Sequence, residues 1–200
     1  WSFPSALEKV FKGNSGAASI FDAFTNDMKN VPEGKSRMRY IINHDTASEN
    51  SPISLYGGER GAMAAFVMAT MLEGCPLIYS SQEIGYSKSL SFFSNNVMNW
   101  DSNKAYTDEY IKVMAAFNST RDVRVKDPVF ANTGNIAKMT YKNSVGDVLV
   151  VMVNTKNEAA TVRVPLDVVG KKVTDLMTGN TVTPEASIDM EPYQYLIYRK

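Results

Sequence analysis

Residues 37–45, Arg-Met-Arg-Tyr-Ile-Ile-Asn-His-Asp, predict a short strand that becomes apolar and then ends in three polar side chains. Residues 74–83, Gly-Cys-Pro-Leu-Ile-Tyr-Ser-Ser-Gln-Glu, have the same layout, with a short apolar strand over Pro76–Tyr79 followed by polar residues. Between these strands, residues 59–72 are rich in Ala, Met and Phe and predict a largely buried helix. The order strand, helix, strand predicts an α/β arrangement in which polar groups collect where strands end.

The segments around this unit divide the chain by pattern. Short helices are predicted from Ser5 to Phe11 and from Ala17 to Met28, and an amphipathic helix from Asp108 to Arg121. From Ile136 onward the apolar residues alternate with polar ones, which is typical of a small antiparallel sandwich. The composition changes near residues 127–128, so we predict an α/β domain over residues 1–125 and an all-β domain over residues 126–200.

Composition argues against several classes of function. The chain of 200 residues has 21 basic and 21 acidic side chains, so no net field favours nucleic acid or an anionic membrane surface. The longest apolar stretch, residues 62–72, is shorter than the roughly 20 residues that a helix needs to cross a bilayer. Cys75 is the only cysteine in the sequence, which excludes an internal disulfide and a thiolate zinc cluster.

The polar triplet at the end of the first strand has two interpretations. In the simpler one, His44 is a hydrogen-bonded, partly buried side chain and Asp45 caps the next turn. In the other, a carboxylate at a strand end belongs to a reaction centre. The residues alone give these interpretations about equal weight.

Taken together, the motifs resemble the alpha-amylase superfamily of glycoside hydrolases. Residues 39–45 resemble its fourth signature region, a strand closing in Asn-His-Asp, and residues 74–79 resemble its Gly-x-Pro-x-x-Tyr segment at the eighth barrel strand. Asn99-Trp100-Asp101 looks like the loop after that strand, and residues 174–179 look like a strand and turn of the terminal sandwich. The resemblance implies the last two β/α units of a TIM-type barrel followed by a small antiparallel β-sandwich.

The resemblance also implies a function and a set of site residues. It implies the carboxyl-terminal part of a retaining alpha-glucan hydrolase that cleaves α-1,4 bonds in starch-like polysaccharides, with alpha-glucan as its partner. Asp45 would be the third catalytic acid, which binds sugar hydroxyls and favours the positively charged transition state. His44 would donate a hydrogen bond to the same sugar, and Asn43 is a substrate-binding candidate that more simply fixes the backbone at the strand end.

Other parts of such a site are expected outside this sequence. The nucleophile and the proton donor of the family lie upstream of Asn-His-Asp, so we expect the chain alone to be inactive. Calcium ligands would also lie upstream, and no metal or cofactor is predicted for this chain. Ser81 stands where the family commonly has Gly, which puts the path of the loop in doubt if that position needs a positive φ.

Alternatives remain open at this point. The same scaffold serves transglycosylases and glucosidases, and a non-catalytic carbohydrate-binding or interaction module would use exposed aromatics on the sandwich. Tyr193, Tyr195 and Ile197 share one face, which is more simply the sandwich core. The aromatics of the long loop are candidates for sugar stacking or for plain packing; these are Tyr86, Phe92, Phe93 and Trp100. Exposed barrel edges further predict self-association of the isolated chain.

Overall fold

The computed structural model describes residues 2–200. Its helices, within this range, are α1 (Ser2–Phe11), α2 (Ala18–Met28), α3 (Pro52–Leu55), α4 (Glu59–Met71) and α5 (Lys104–Ser119). The strands are β1 (Met38–Arg39), β2 (Cys75–Pro76), β3 (Val129–Thr133), β4 (Ile136–Lys142), β5 (Val148–Asn154), β6 (Ala160–Arg163), β7 (Val173–Asp175), β8 (Thr181–Val182), β9 (Ser187–Met190) and β10 (Tyr195–Arg199). None of these helices combines the length and the apolar character that a membrane span requires.

The β1–α4–β2 unit has two parallel strands joined by a helix. Met38 lies opposite Cys75 in the register, and the amide of Leu77 donates to the carbonyl of Arg39 at 2.8 Å. The α/β order predicted from sequence is therefore present. Both strands are shorter than predicted, because each has a single hydrogen-bonded neighbour within residues 2–200 and the ladder stops after two residues. The apolar run of β2 is also only partly buried, with Ile78 38% exposed.

A buried guanidinium joins α1 and α2 to β1. Arg39 is fully enclosed, with the rings of Phe3 and Phe24 4.7 and 4.8 Å from its guanidinium carbon. One nitrogen of Arg39 lies 3.2 Å from the Asp27 carboxylate, and its Nε donates to the backbone carbonyl of Glu73. Burial lowers the pKa of Arg39, and the partner carboxylate opposes this shift. The contact holds β1 against the two amino-terminal helices.

The strand-rich half is built on a six-stranded antiparallel sheet, in the order β3-β4-β5-β10-β7-β8. A second sheet pairs β6 with β9 and covers part of one face, where Val150 and Met152 meet Val162 and Met190. The other face packs on the helices through side chains such as Val151. Strand β5 is buried along its whole length because both faces are covered.

One expectation about this half was wrong. Tyr195 and Ile197 lie on the face that packs on the helices, whereas the sandwich core between the two sheets contains Tyr198. Alternation along a strand predicts which residues share a face, but it does not identify the layer that covers that face. The hydroxyl of Tyr195 donates to Glu109, which also pairs with Arg60 at 2.8 Å.

The helical half and the strand-rich half share one apolar core. That core contains side chains from α1, α2, α4 and α5 and from β4, β5 and β10. The hydroxyl of Tyr141 donates to the carbonyl of Met71 at 2.8 Å, and the ring of Phe21 stacks on Phe130. Helices give way to strands between α5, which ends at Ser119, and β3. The division into domains over residues 1–125 and 126–200 stays a prediction.

Candidate functional site

The predicted site lies where β1 and β2 end. Asn43, His44 and Asp45 follow β1 after a short irregular segment, and residues 79–81 follow β2. Because the two strands are parallel, both polar segments lie beyond the same end of the pair, where the strands have their carboxyl termini. The carboxyl-terminal end of the strands is where α/β barrels assemble their active sites.

Asn43 holds the backbone of the turn after β1. Its side chain is buried, and its Oδ1 accepts from the amides of Asp45 and Thr46 at 3.1 and 3.2 Å and from the Thr46 hydroxyl. An Asn side chain that bonds to amides two and three residues later forms an Asx-type turn. The geometry favours the backbone-fixing role for Asn43. Thr46 is a further residue of this turn that was not predicted from sequence, although an Asn followed three residues later by Thr is a recognisable turn signal.

His44 and Asp45 stand on the surface of this turn. Their side chains are 73% and 51% exposed, and the His44 Nε2 lies 3.3 Å from the Asp45 Oδ1. The other Asp45 oxygen accepts only a long hydrogen bond of 3.5 Å, from the side-chain Nδ2 of Asn43. Within residues 2–200 no backbone amide donates to this carboxylate, so Asp45 does not cap the turn, and most of its capacity to accept hydrogen bonds is free.

Tyr40 is a neighbour of this carboxylate that the sequence analysis did not single out. Its side chain is half-buried, and burial raises the pKa of its phenol, with a further contribution from the negative charge of Asp45. The phenol therefore stays protonated at neutral pH and can donate a hydrogen bond.

The segment after β2 contains a residue in a left-handed conformation. Ser81 has φ 70° and ψ −4° and is buried, so the position where the family commonly has Gly does adopt a positive φ here. The preceding Tyr79 is half-buried and packs against a small cluster that includes Ile42 and Ala47. Its amide donates to the Gln82 side chain at 3.3 Å. These contacts support a structural role for Tyr79.

The long loop from Gly85 to Asn103 folds back over the end of β1. The amide of Leu90 donates to the carbonyl of Ala47 at 2.7 Å, and the Ser51 hydroxyl donates to the carbonyl of Ser87. Of the four loop aromatics, Tyr86 is partly buried and packs in the same small cluster. The other three are largely exposed: Phe92, Phe93 and Trp100.

A cleft also lies on the strand-rich half, away from this site. It has a volume of about 750 Å³, and its lining includes the charged side chains of Lys138, Lys142, Arg163 and Asp167 but no aromatic residue. Sugar recognition commonly uses ring faces, so this lining is poorly suited to a neutral glucan. Tyr195 and Ile197 are also buried against the helices. The strand-rich half thus offers little support for a separate carbohydrate-binding module.

In the part of the chain that the structure describes, no three His, Cys, Asp or Glu side chains lie close enough together to hold a metal ion. The single histidine, His44, has one carboxylate beside it.

Comparisons with known proteins find one similar curated sequence and several solved structures with a similar fold. It is 25% identical over 205 aligned positions to a cyclomaltodextrinase of Geobacillus thermopakistaniensis, covering 97% of this chain and 34% of that protein. An alpha-amylase from Lactobacillus plantarum superposes with a TM-score of 0.81 at 21% identity, covering 98% of this chain and 46% of the other. AmyP E221Q in complex with maltotriose superposes with a TM-score of 0.76 at 14% identity, covering 99% and 49%. No family model matches the sequence.

The chain is therefore similar to one part of larger proteins. It spans about a third of the length of the curated relative and less than half of each of the two solved structures. In the solved alpha-amylases the chain aligns with the carboxyl-terminal part.

Proposed function

We propose that this chain is the carboxyl-terminal part of a retaining glycoside hydrolase that cleaves α-1,4 bonds in starch-like glucans. Its similarity to a cyclomaltodextrinase and to solved alpha-amylases supports this proposal. In this proposal, β1, α4, β2 and α5 are the last two β/α units of a barrel, and the strand-rich half is the terminal sandwich. The observation that carries the proposal is the open Asp45 carboxylate at the end of a strand that pairs in parallel with β2.

Asp45 is suited to stabilising charge rather than to forming a bond. Retaining glycosidases use one carboxylate as the nucleophile and one carboxylic acid as the proton donor, through an oxocarbenium-like transition state. We assign neither of these roles to Asp45. Its half-exposed oxygens accept hydrogen bonds from sugar hydroxyls. Its negative charge stabilises the positive charge that develops on the sugar ring. The nucleophile and the proton donor are proposed to lie outside this chain.

His44 and Asn43 assist in different ways. The side chain of His44 is 73% exposed. Its imidazole can donate a hydrogen bond to the same sugar without acting as a base. Asn43 keeps the turn in the shape that presents both side chains, through its bonds to the Asp45 and Thr46 amides. The proposed site therefore has one charge-stabilising group, one donor and one positioning residue.

The substrate class rests on the relatives. The curated relative is named a cyclomaltodextrinase, and the AmyP structure holds maltotriose. Both names refer to chains of α-linked glucose, so we propose a neutral alpha-glucan as the substrate.

The proposal is tested with Asp45→Asn in the full-length protein, because the other two acids are proposed to lie outside this chain. We expect kcat on soluble starch to fall by about 10²–10³-fold, the range typical of losing one group that stabilises transition-state charge. Folding should be nearly unchanged, because the side chain is half-exposed and Asn is nearly isosteric. Chromatography of the products separates hydrolysis, which releases new reducing ends, from transglycosylation, which also yields longer chains.

Asp108→Asn is the matched control, since Asp108 is an exposed aspartate on α5. This variant should keep the activity of the unmodified enzyme within twofold. A normal rate for Asp45→Asn on starch would remove Asp45 from the mechanism.

A further inference from the structure

The hydrogen-bond ladder between β1 and β2 stops short of Ile41. Its last bond runs from the amide of Leu77 to the carbonyl of Arg39 at 2.8 Å. Bonds between parallel strands are evenly spaced, so the next one would join the amide of Tyr79 to the carbonyl of Ile41. The Tyr79 amide donates instead to the side chain of Gln82 at 3.3 Å. The buried Ile41 therefore lacks the donor that a continued ladder would supply.

Tyr56 supplies a donor in its place. Its hydroxyl donates to the Ile41 carbonyl at 2.9 Å, and both residues are buried by the described part of the chain. A buried acceptor without a donor is costly, so this bond favours one position of the strand end. Burial raises the pKa of the Tyr56 phenol, which therefore stays protonated and remains a donor. Because both groups lie inside this chain, the contact does not depend on what else covers its surface.

The phenol itself is held in place from two sides. The amide of Tyr56, the residue after α3, donates to the carbonyl of Pro52 at 3.0 Å. Its ring meets the edge of the Phe11 ring in α1, with the ring centroids 5.6 Å apart. Since the backbone and the ring are both fixed, the hydroxyl is a rigid anchor for the end of β1.

A short path of fixed groups leads from this bond to the proposed site. Ile42, the residue after Ile41, is buried and packs in the small cluster with Ala47. Asn43 comes next, and its side chain accepts from the Asp45 amide at 3.1 Å. The Asp45 carboxylate has only two polar contacts among the described residues, one with His44 and one with Asn43. Its position is therefore set mainly by the backbone that follows β1.

We propose that Tyr56 is a positioning residue for Asp45, because its buried hydroxyl fixes the end of β1 and thereby the place of the carboxylate relative to the sugar. This inference rests on the proposed function, since Asp45 is the group that is positioned. Misplacement of a reacting group by about 1 Å can cost on the order of 10²-fold in rate. Tyr56 does not contact the substrate and acts only through the backbone.

The test uses Tyr56→Phe in the full-length protein, with Tyr141→Phe as the matched control. Each change removes a buried hydroxyl that donates to a main-chain carbonyl, that of Ile41 or that of Met71. Both should lower the midpoint of urea unfolding, because each leaves a buried acceptor without a donor. Only Tyr56→Phe should lower kcat on soluble starch, by about tenfold, with KM unchanged within about twofold, because Asp45 acts chiefly on the transition state.

A double-variant cycle distinguishes positioning from a general loosening of the fold. In the Asp45→Asn background, Tyr56→Phe should lower kcat by less than about twofold, because the group that Tyr56 positions has already lost its charge. All rates are measured below the unfolding transition of each variant. A further loss of about tenfold in that background contradicts the positioning role, and so does an equal loss of kcat in Tyr141→Phe.

Failure of the proposed function gives a different pattern. A full-length protein that does not hydrolyse starch, or a normal rate for Asp45→Asn, contradicts the function proposed for Asp45 and the positioning role with it. A slow Asp45→Asn variant beside a Tyr56→Phe variant of normal kcat contradicts the positioning role alone.

Discussion

Ser81 illustrates at the scale of a single residue how the backbone limits substitution near the proposed site. It is buried with φ 70°, a conformation that costs a non-glycine residue about 1–3 kcal/mol. A β-branched side chain fits this conformation least well. We expect Ser81→Val to lower the free energy of unfolding by about 1–3 kcal/mol and Ser81→Gly to leave it unchanged or slightly higher, as measured by urea denaturation.

Ser80 provides the control for this substitution. It precedes Ser81, is exposed and has no positive φ, so Ser80→Val should change the stability little. Equal stabilities for the two valine variants would contradict the strain at Ser81.

The residues of the site were predictable from sequence to different degrees. Asp45 and His44 could be found because an Asn-His-Asp triplet after an apolar run is a local signal. The enclosure of Arg39 between Phe3 and Phe24 could not be found, because these rings are more than ten residues away in sequence and only packing joins them. The sequence around Arg39 does not indicate which partners would pair with its buried charge.

At the scale of elements, the start of helix α4 depends on a residue with no side chain. A Cβ atom on Gly61 would lie 1.7 Å from the carbonyl oxygen of Tyr56 and 3.2 Å from the ring of Tyr193. Alanine in a helix is favoured over glycine by about 1 kcal/mol, but overpacking against backbone costs about 1–3 kcal/mol or more. We therefore expect Gly61→Ala to destabilise the protein, with a lower midpoint in thermal and urea unfolding.

Gly16→Ala, in the loop before α2, is the control for this substitution. Gly16 is exposed, and a Cβ there would meet no atom within 4 Å. This variant should keep the original midpoint or raise it slightly. A Gly61→Ala variant that is as stable as Gly16→Ala would show that the entry to α4 can shift without cost.

The elements differ in how well the sequence predicted their limits. Helices α2 and α4 begin and end within one residue of the prediction, because apolar spacing and stop signals are local. Strands β1 and β2 are shorter than predicted, because the length of a strand depends on the partner that supplies its hydrogen bonds. The buried faces of β10 were assigned to the wrong layer for a similar reason.

At the scale of the whole molecule, an apolar groove lies between α5 and the segment that follows β2. It has a volume of about 480 Å³, and Ile78 and Ile111 on its walls are 38% and 61% exposed. The Tyr110 hydroxyl and one Glu83 oxygen, which line the same groove, are buried without hydrogen-bond partners among the described residues. We propose that the 200-residue chain on its own self-associates through this groove.

Sedimentation at micromolar concentration measures this association. We expect the isolated chain to form dimers or larger species, and Ile111→Glu to shift it toward monomer, because a carboxylate in an apolar contact is costly to desolvate. Leu166→Glu, at an exposed apolar site on the strand-rich half, should have no effect. A monomeric unmodified chain, or equal behaviour of the two variants, would contradict the role of the groove.

The shared core has a consequence for protein engineering. The large sheet packs against α4, where the Tyr141 hydroxyl donates to the Met71 carbonyl. Lys156, two residues after β5, donates from its ammonium to the Val10 carbonyl of α1 at 2.6 Å. A strand-rich half taken from a distant relative would need a phenol and an ammonium group that can donate to the same two helix carbonyls. Chimeras joined near residue 125 should therefore fold only when the donor's sheet has a face that complements the helices. The strand-rich half cannot be exchanged freely between relatives.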